Sequence, residues 1–156
     1  MSHFLLFQIG DQSFALSLSN VERVVRAVEI TPVPSCEKYI LGLVDVQGII
    51  IKTINTRKLV GIAQREIELS DQFIIINAVG QRLILVADSV SSVVDLAIHE
   101  ISIEKQCEES AAFIDSVARF GDSLVLVIDL KKVVSMIEKP QDTGSESIDE
   151  KNEIRL

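Results

Sequence analysis

Tryptophan is absent from this chain of 156 residues, and the other aromatics are sparse, one tyrosine and six phenylalanines. Rings so few and scattered offer no stacking platform for nucleobases or sugars. The two cysteines, Cys36 and Cys107, lie far apart with no flanking His or Cys, which excludes a disulfide framework and a zinc-ligand spacing. Both read as reduced structural or surface thiols. The two histidines, His3 and His99, have no spaced partner, and catalysis needs convergent groups, so no catalytic residue is assigned. Glycines are seven. Gly42 and Gly48 do not make a GxGxxG fingerprint, and Gly61 is not followed by the Lys-Ser of a phosphate loop. Lys and Arg number 15 against 23 Asp and Glu, and the resulting net charge of −8 repels a phosphate backbone, so nucleic acid is not an expected partner. The longest apolar runs, Phe73 to Ile76 and Leu124 to Ile128, fall far short of the roughly 18 residues a membrane span needs. The start, Met1 to Leu6, has neither the basic lead nor the cleavage site of a secretory signal. The expectation is a soluble, cytoplasmic protein with no metal, no cofactor and no membrane insertion.

What is present is a large apolar fraction, 47% of residues with only 24% charged, enough to fill the core of one domain. Leu41 to Gly61 is the organising stretch. Val44 and Val46 alternate with Asp45 and Gln47, Gly48 supplies a turn, and Ile49 to Ile51 with Ile54 form a returning β-branched strand. Leu59 and Val60 then seat a helical turn that Gly61 ends. Phe4 to Ile9 and Ser13 to Leu18 read as a second hairpin around Gly10-Asp11-Gln12. Ser19 or Asn20 suits a helix cap, while Val21, Val24, Val25 and Val28 equally suit a strand; periodicity leaves both open. Pro32 and Pro34 break regular structure, and Cys36 to Leu41 reads as a short helical turn.

The pattern then returns. Ile54 to Val60 and Ile128 to Val134 agree in character at nearly every position, and Phe4 to Val25 corresponds to Phe73 to Val94. Each copy is about 70 residues, longer than the roughly 20–50 of solenoid repeats, so the reading is an internal duplication giving two lobes, approximately residues 1–65 and 66–138. The polar stretch between Ile62 and Asp71 is a hinge candidate. Short strands with glycine turns and few helices point to an all-β fold of small barrels. Asp11, Asp45, Asp88 and Asp129 sit at turns, where carboxylates bond backbone amides. After Glu138 the chain turns polar and acidic, and residues 139–156 read as a disordered tail.

These residues carry a family resemblance. Phe4 to Asp11, Val21 to Arg26, Gly42 to Ile51, Gly80 to Arg82, Asp88 to Val93 and Gly121 to Leu130, in that order and spacing, resemble the CheW family of chemotaxis coupling proteins over roughly Phe4 to Ile137. The resemblance implies two SH3-like five-stranded β-barrel lobes with a shared apolar core. It implies a non-enzymatic adaptor linking the cytoplasmic tips of chemoreceptors to the regulatory domain of the histidine kinase CheA. Val21, Gly42 and Val93 match positions of the family's receptor groove, and Gly48 and Asp88 match structural turn positions, Asp88 capping local amides.

The chain also departs from the family. Where the family usually has NLRG, this sequence has Asp45-Val46-Gln47-Gly48, so an exposed arginine becomes Gln47. Lys52 and Asn55 replace a proline and an aspartate, and Arg23 occupies a position that is commonly acidic. Arg23 and Gln47 therefore mark a partner surface whose charge has been redrawn. The leading reading is a scaffold of a chemosensory array. An alternative keeps the fold but binds only receptor or kinase, as a ring member, a competitor, or a component of another motility pathway. A small ligand-binding barrel or enzyme is a third class, and nothing in the sequence supplies its site.

Overall fold

The computed structural model describes residues 3–34, 37–99 and 113–138. The expectations for Cys36, Cys107 and the segments 100–112 and 139–156 fall outside them. The first copy of the repeat supplies β1 (His3–Ile9), β2 (Gln12–Ser17), β3 (Val21–Arg26), β4 (Ile40–Val46), β5 (Ile49–Ile54) and the helix α1 (Thr56–Val60). The second supplies β6 (Gln72–Ala78), β7 (Gln81–Ala87), β8 (Ser89–Asp95), a two-residue β9 (Ile98–His99), β10 (Ile114–Phe120), β11 (Ser123–Ile128) and α2 (Leu130–Glu138). The fold is all-β with short helices, as the sequence implies. Ile9 pairs with Gln12, so the first turn holds two residues and not three. Leu18–Asn20 is one turn of 3-10 helix and Val21 opens a strand, which settles the two readings of that region.

The strands form two sheets, ordered β8-β1-β2-β11-β10-β9 and β3-β6-β7-β5-β4. This corrects the division into lobes 1–65 and 66–138. Each sheet takes the first two strands of one copy and the later strands of the other. The exchange is reciprocal: β3 pairs antiparallel with β6 as β8 does with β1, and β5 runs parallel to β7 as β11 does to β2. The bulges recur too, the register slipping between Val21 and Arg23 in one pair and between the partners of Val90 and Ser92 in the other. The physical reason lies after each second strand, where the 3-10 turn at Leu18 or the bend at Asp88 sends the chain to the other sheet.

Burial on both faces explains why the first strand of each copy is apolar without alternation. On β1, Phe4 and Leu6 enter a small core inside the first sheet, while Leu5, Phe7 and Ile9 enter the core shared between the sheets. On β6, Phe73 and Ile75 lie inside the second sheet, while Ile74, Ile76 and Ala78 join the shared core. Rings from both copies meet there: Phe7 stacks on Phe14 at 5.8 Å, and Tyr39 meets Phe113 edge-on at 5.9 Å. One face of α2 closes it through Leu130, Val133, Val134 and Ile137. The second sheet also curls on itself, because Thr31, beyond β3, exchanges two backbone hydrogen bonds of 2.9 Å with Leu43 on β4, the opposite edge strand.

Candidate partner-binding surface

The β4–β5 hairpin is closed by Gln47 and Gly48, with φ of 53° and 88°, the left-handed pair that a two-residue turn matched to strand twist requires. Asp45 Oδ1 accepts the Gly48 N–H at 2.8 Å and fixes the turn. The tip leaves Ile49 and Ile50 47% and 59% exposed. Across the closing edge of the sheet, Arg23 Nη2 donates to Gln47 Oε1 at 3.0 Å. The structure therefore brings Arg23 and Gln47 together on one face beside two exposed isoleucines. Lys52 pairs with Glu37 at 2.9 Å, and Asn55 caps α1, its Oδ1 accepting the Lys58 N–H at 3.2 Å. An amide thus does the capping work of an aspartate at that position.

Val21, Gly42 and Val93 lie on β3, β4 and β8, three edge strands drawn from both sheets. Val21 packs partly against the shared core, and Val93 stands 50% exposed on the open edge of the first sheet. Gly42 is buried, and a Cβ there would lie 2.3 Å from the Thr31 carbonyl oxygen. Its residue type answers to that backbone approach, so it offers no side-chain surface to a groove.

Asp88 differs from the expectation that it caps local amides. Its Oδ2 accepts the N–H of Gly10, in the β1–β2 turn of the other copy, at 2.9 Å. Arg57 donates to both its oxygens at 2.9 and 2.7 Å, and Arg65 to Oδ1 at 3.0 Å. Arg65 also forks onto Asp71 at 3.0 and 2.8 Å. The Asp71 side chain is only 1% exposed. Burial on its own would raise that carboxyl, but the Arg65 bonds and the Glu68 N–H at 2.8 Å outweigh it and hold Asp71 below the usual carboxylate range. Arg65 is pushed up by the same contact. The supposed hinge is a strap pinned by charge, and it links α1 to β6 within one sheet. These groups line a cleft of about 400 Å³ whose guanidinium donors are spent on Asp71, Asp88 and the carbonyls of Ala63 and Glu66. Sequence reasoning missed Arg57, Arg65 and Asp71; arginines among acids in a polar connector were the available signal, and they resemble a solvated linker.

Residues 3–138 match the family model described as CheW-like domain. The chain belongs to the CheW-like family. It is 25% identical over 138 residues to the chemotaxis protein CheW of Treponema pallidum, covering 85% of this chain and 81% of that protein. It is 23% identical over 133 residues to CheW of Thermotoga maritima, covering 85% and 87%. Its structure is similar to that of the scaffolding protein TtCheW from Thermoanaerobacter tengcongensis, with a TM-score of 0.72 and 25% identity over 81% of this chain and 88% of that one. As a CheW-like protein the chain is a non-enzymatic adaptor of chemotaxis. No helix among the described residues is long and apolar enough to cross a membrane.

Proposed function

We propose that the chain couples the cytoplasmic tips of chemoreceptors to the regulatory domain of the histidine kinase CheA, in the cytoplasm beneath a receptor array. One observation carries this reading: Val93 on the first sheet and the Arg23–Gln47 face on the second are held apart at a fixed spacing by the core that the two sheets share. Val93, half-exposed on the edge strand β8, offers an apolar edge for a receptor helix pair. Arg23, Gln47, Ile49 and Ile50 offer a cationic and apolar face for the kinase domain. The hydrogen bond between Arg23 and Gln47 links two departures from the family pattern. The cation the family usually carries in the turn has moved to the neighbouring strand and remains on the same face, which favours a coupler over a chain that binds one partner alone.

Titration calorimetry of wild type, Val93→Lys and Arg23→Gln against a receptor fragment and a kinase regulatory domain tests this. An ammonium buried unpaired at Val93 should weaken receptor binding by about tenfold or more and leave kinase binding unchanged. Arg23→Gln should do the reverse. Wild type that binds one partner only would establish the single-partner reading, and binding to neither would end the coupling proposal.

A further inference from the structure

The internal repeat places an equivalent cleft at the start of each helix. Ile40 pairs with Ile54 and Ile114 with Ile128, and each pair is followed by a one-residue bulge, at Leu41 and Asp115. On that register Asp115 stands where Leu41 does, Ser116 where Gly42 does, Asp129 where Asn55 does and Lys131 where Arg57 does. The first cleft is walled by the strap 61–71, and its two guanidiniums are bound to acceptors of the chain. The second, about 580 Å³, lies against Asp115, Ser116, Asp129 and Asn20 above an apolar floor that includes Phe4 and Leu130. No strap equivalent to 61–71 crosses it among the described residues.

Its lining is rich in acceptors that nothing in the described chain satisfies. Ser116 is 2% exposed and its Oγ has no hydrogen-bond partner, a state that buried hydroxyls rarely tolerate. Asp129 spends Oδ1 on the N–H groups of Lys131 and Lys132 at 3.0 and 3.3 Å, and no bond to its Oδ2 is made by the described residues. Asn20 uses its amide nitrogen on the Asn77 carbonyl at 3.0 Å, leaving its own carbonyl oxygen to accept. The bulge sets Asp115 out of the β10–β11 pairing, exposed at the rim. Two carboxylates, Asp115 and Asp129, and one lysine, Lys131, line the cleft.

We infer that this cleft docks a segment of a partner protein through an arginine side chain. A guanidinium brings five N–H donors in a rigid plane, matched to two carboxylates, an amide carbonyl and a buried hydroxyl. Its methylene stem lies on the apolar floor. In the first cleft Arg57 and Arg65 of the chain itself bind the carboxylates of Asp71 and Asp88, acids at positions other than those of Asp115 and Asp129. The site adds a third contact to the adaptor, and its test does not depend on which receptor or kinase the adaptor serves.

The experiment is an amide NMR titration of the full chain with the peptide acetyl-Leu-Arg-Leu-amide and its glutamine counterpart. The arginine peptide should shift the amides of Asn20, Ser116 and Lys131 and saturate at about tenfold lower concentration than the glutamine peptide. Asp115→Asn, at an exposed bulge that leaves the fold intact, should weaken the arginine peptide by about tenfold and the glutamine peptide little. Ser116→Ala removes only an unbonded hydroxyl; it should retain the native spectrum and weaken the arginine peptide as well. Equal response to both peptides, shifts confined to another surface, no shift at all, or an Asp115→Asn chain that binds as tightly as wild type would each overturn the inference.

Discussion

Asp71 has lost nearly all its water, and Arg65 and the Glu68 amide supply what solvation did. Because its folded pKa lies below the ordinary carboxylate value, the pair's contribution is fully present above the unfolded pKa of about 4 and is lost as pH falls through the folded one. Urea midpoints should therefore hold between about pH 7 and 5 and drop below about pH 4. Asp71→Asn should cost roughly 1–3 kcal/mol at neutral pH, since Arg65 loses its forked, buried carboxylate and keeps Asp88 and the Glu66 carbonyl. That variant should also show a shallower acid drop; identical acid profiles would remove Asp71 from the strap's support. Single residues of this kind were the least legible part of the sequence. Arg65 and Asp88 are 23 residues apart and Gly10 and Asp88 are 78 apart, so no local pattern announces that one carboxylate serves all of them.

At the scale of elements, local chemistry was legible because it is local. The Asp45-Val46-Gln47-Gly48 hairpin and the helical turn at Leu59 and Val60 that Gly61 ends are legible from alternation, a glycine and an apolar pair, and both stand where expected. Gln47 and Gly48 both hold positive φ, so Gly48→Val should lower the denaturant midpoint by an amount equivalent to roughly 1–3 kcal/mol. An unchanged midpoint would mean the turn relaxes to another geometry at little cost. Strand partners were not legible. An apolar run such as Phe73 to Ile76 announces burial on both faces but not against which strand, and the direction taken after β2 or β7 depends on a few turn residues whose effect is tertiary. The same holds for the site: the family resemblance puts Arg23 and Gln47 on one partner surface, and only closure of the sheet shows that they touch.

The whole molecule is an exchange of strands between two copies of one motif, and neither copy encloses a core alone. The first copy holds β1 and β2 without their neighbours β8 and β11, and β3 to β5 without β6 and β7, which occupy the middle of that sheet. With β6 and β7 gone, β3 loses its strand partner and keeps only the Thr31–Leu43 bridge and the Arg23–Gln47 bond to the β4–β5 hairpin, and two-stranded hairpins are marginal in water. Fragments 1–65 and 66–156, prepared separately, should each give collapsed amide NMR spectra, and mixing them should restore the dispersion of the intact chain. The restored complex should follow mass action, falling apart on dilution, because the covalent connection through the strap is what makes the exchange intramolecular. A dispersed, cooperatively melting spectrum from either fragment alone would show that one copy can fold back on itself. The shared core would then be a docking interface between two independent lobes, and the fixed spacing between the receptor-facing and kinase-facing surfaces on which the adaptor reading rests would lose its physical basis.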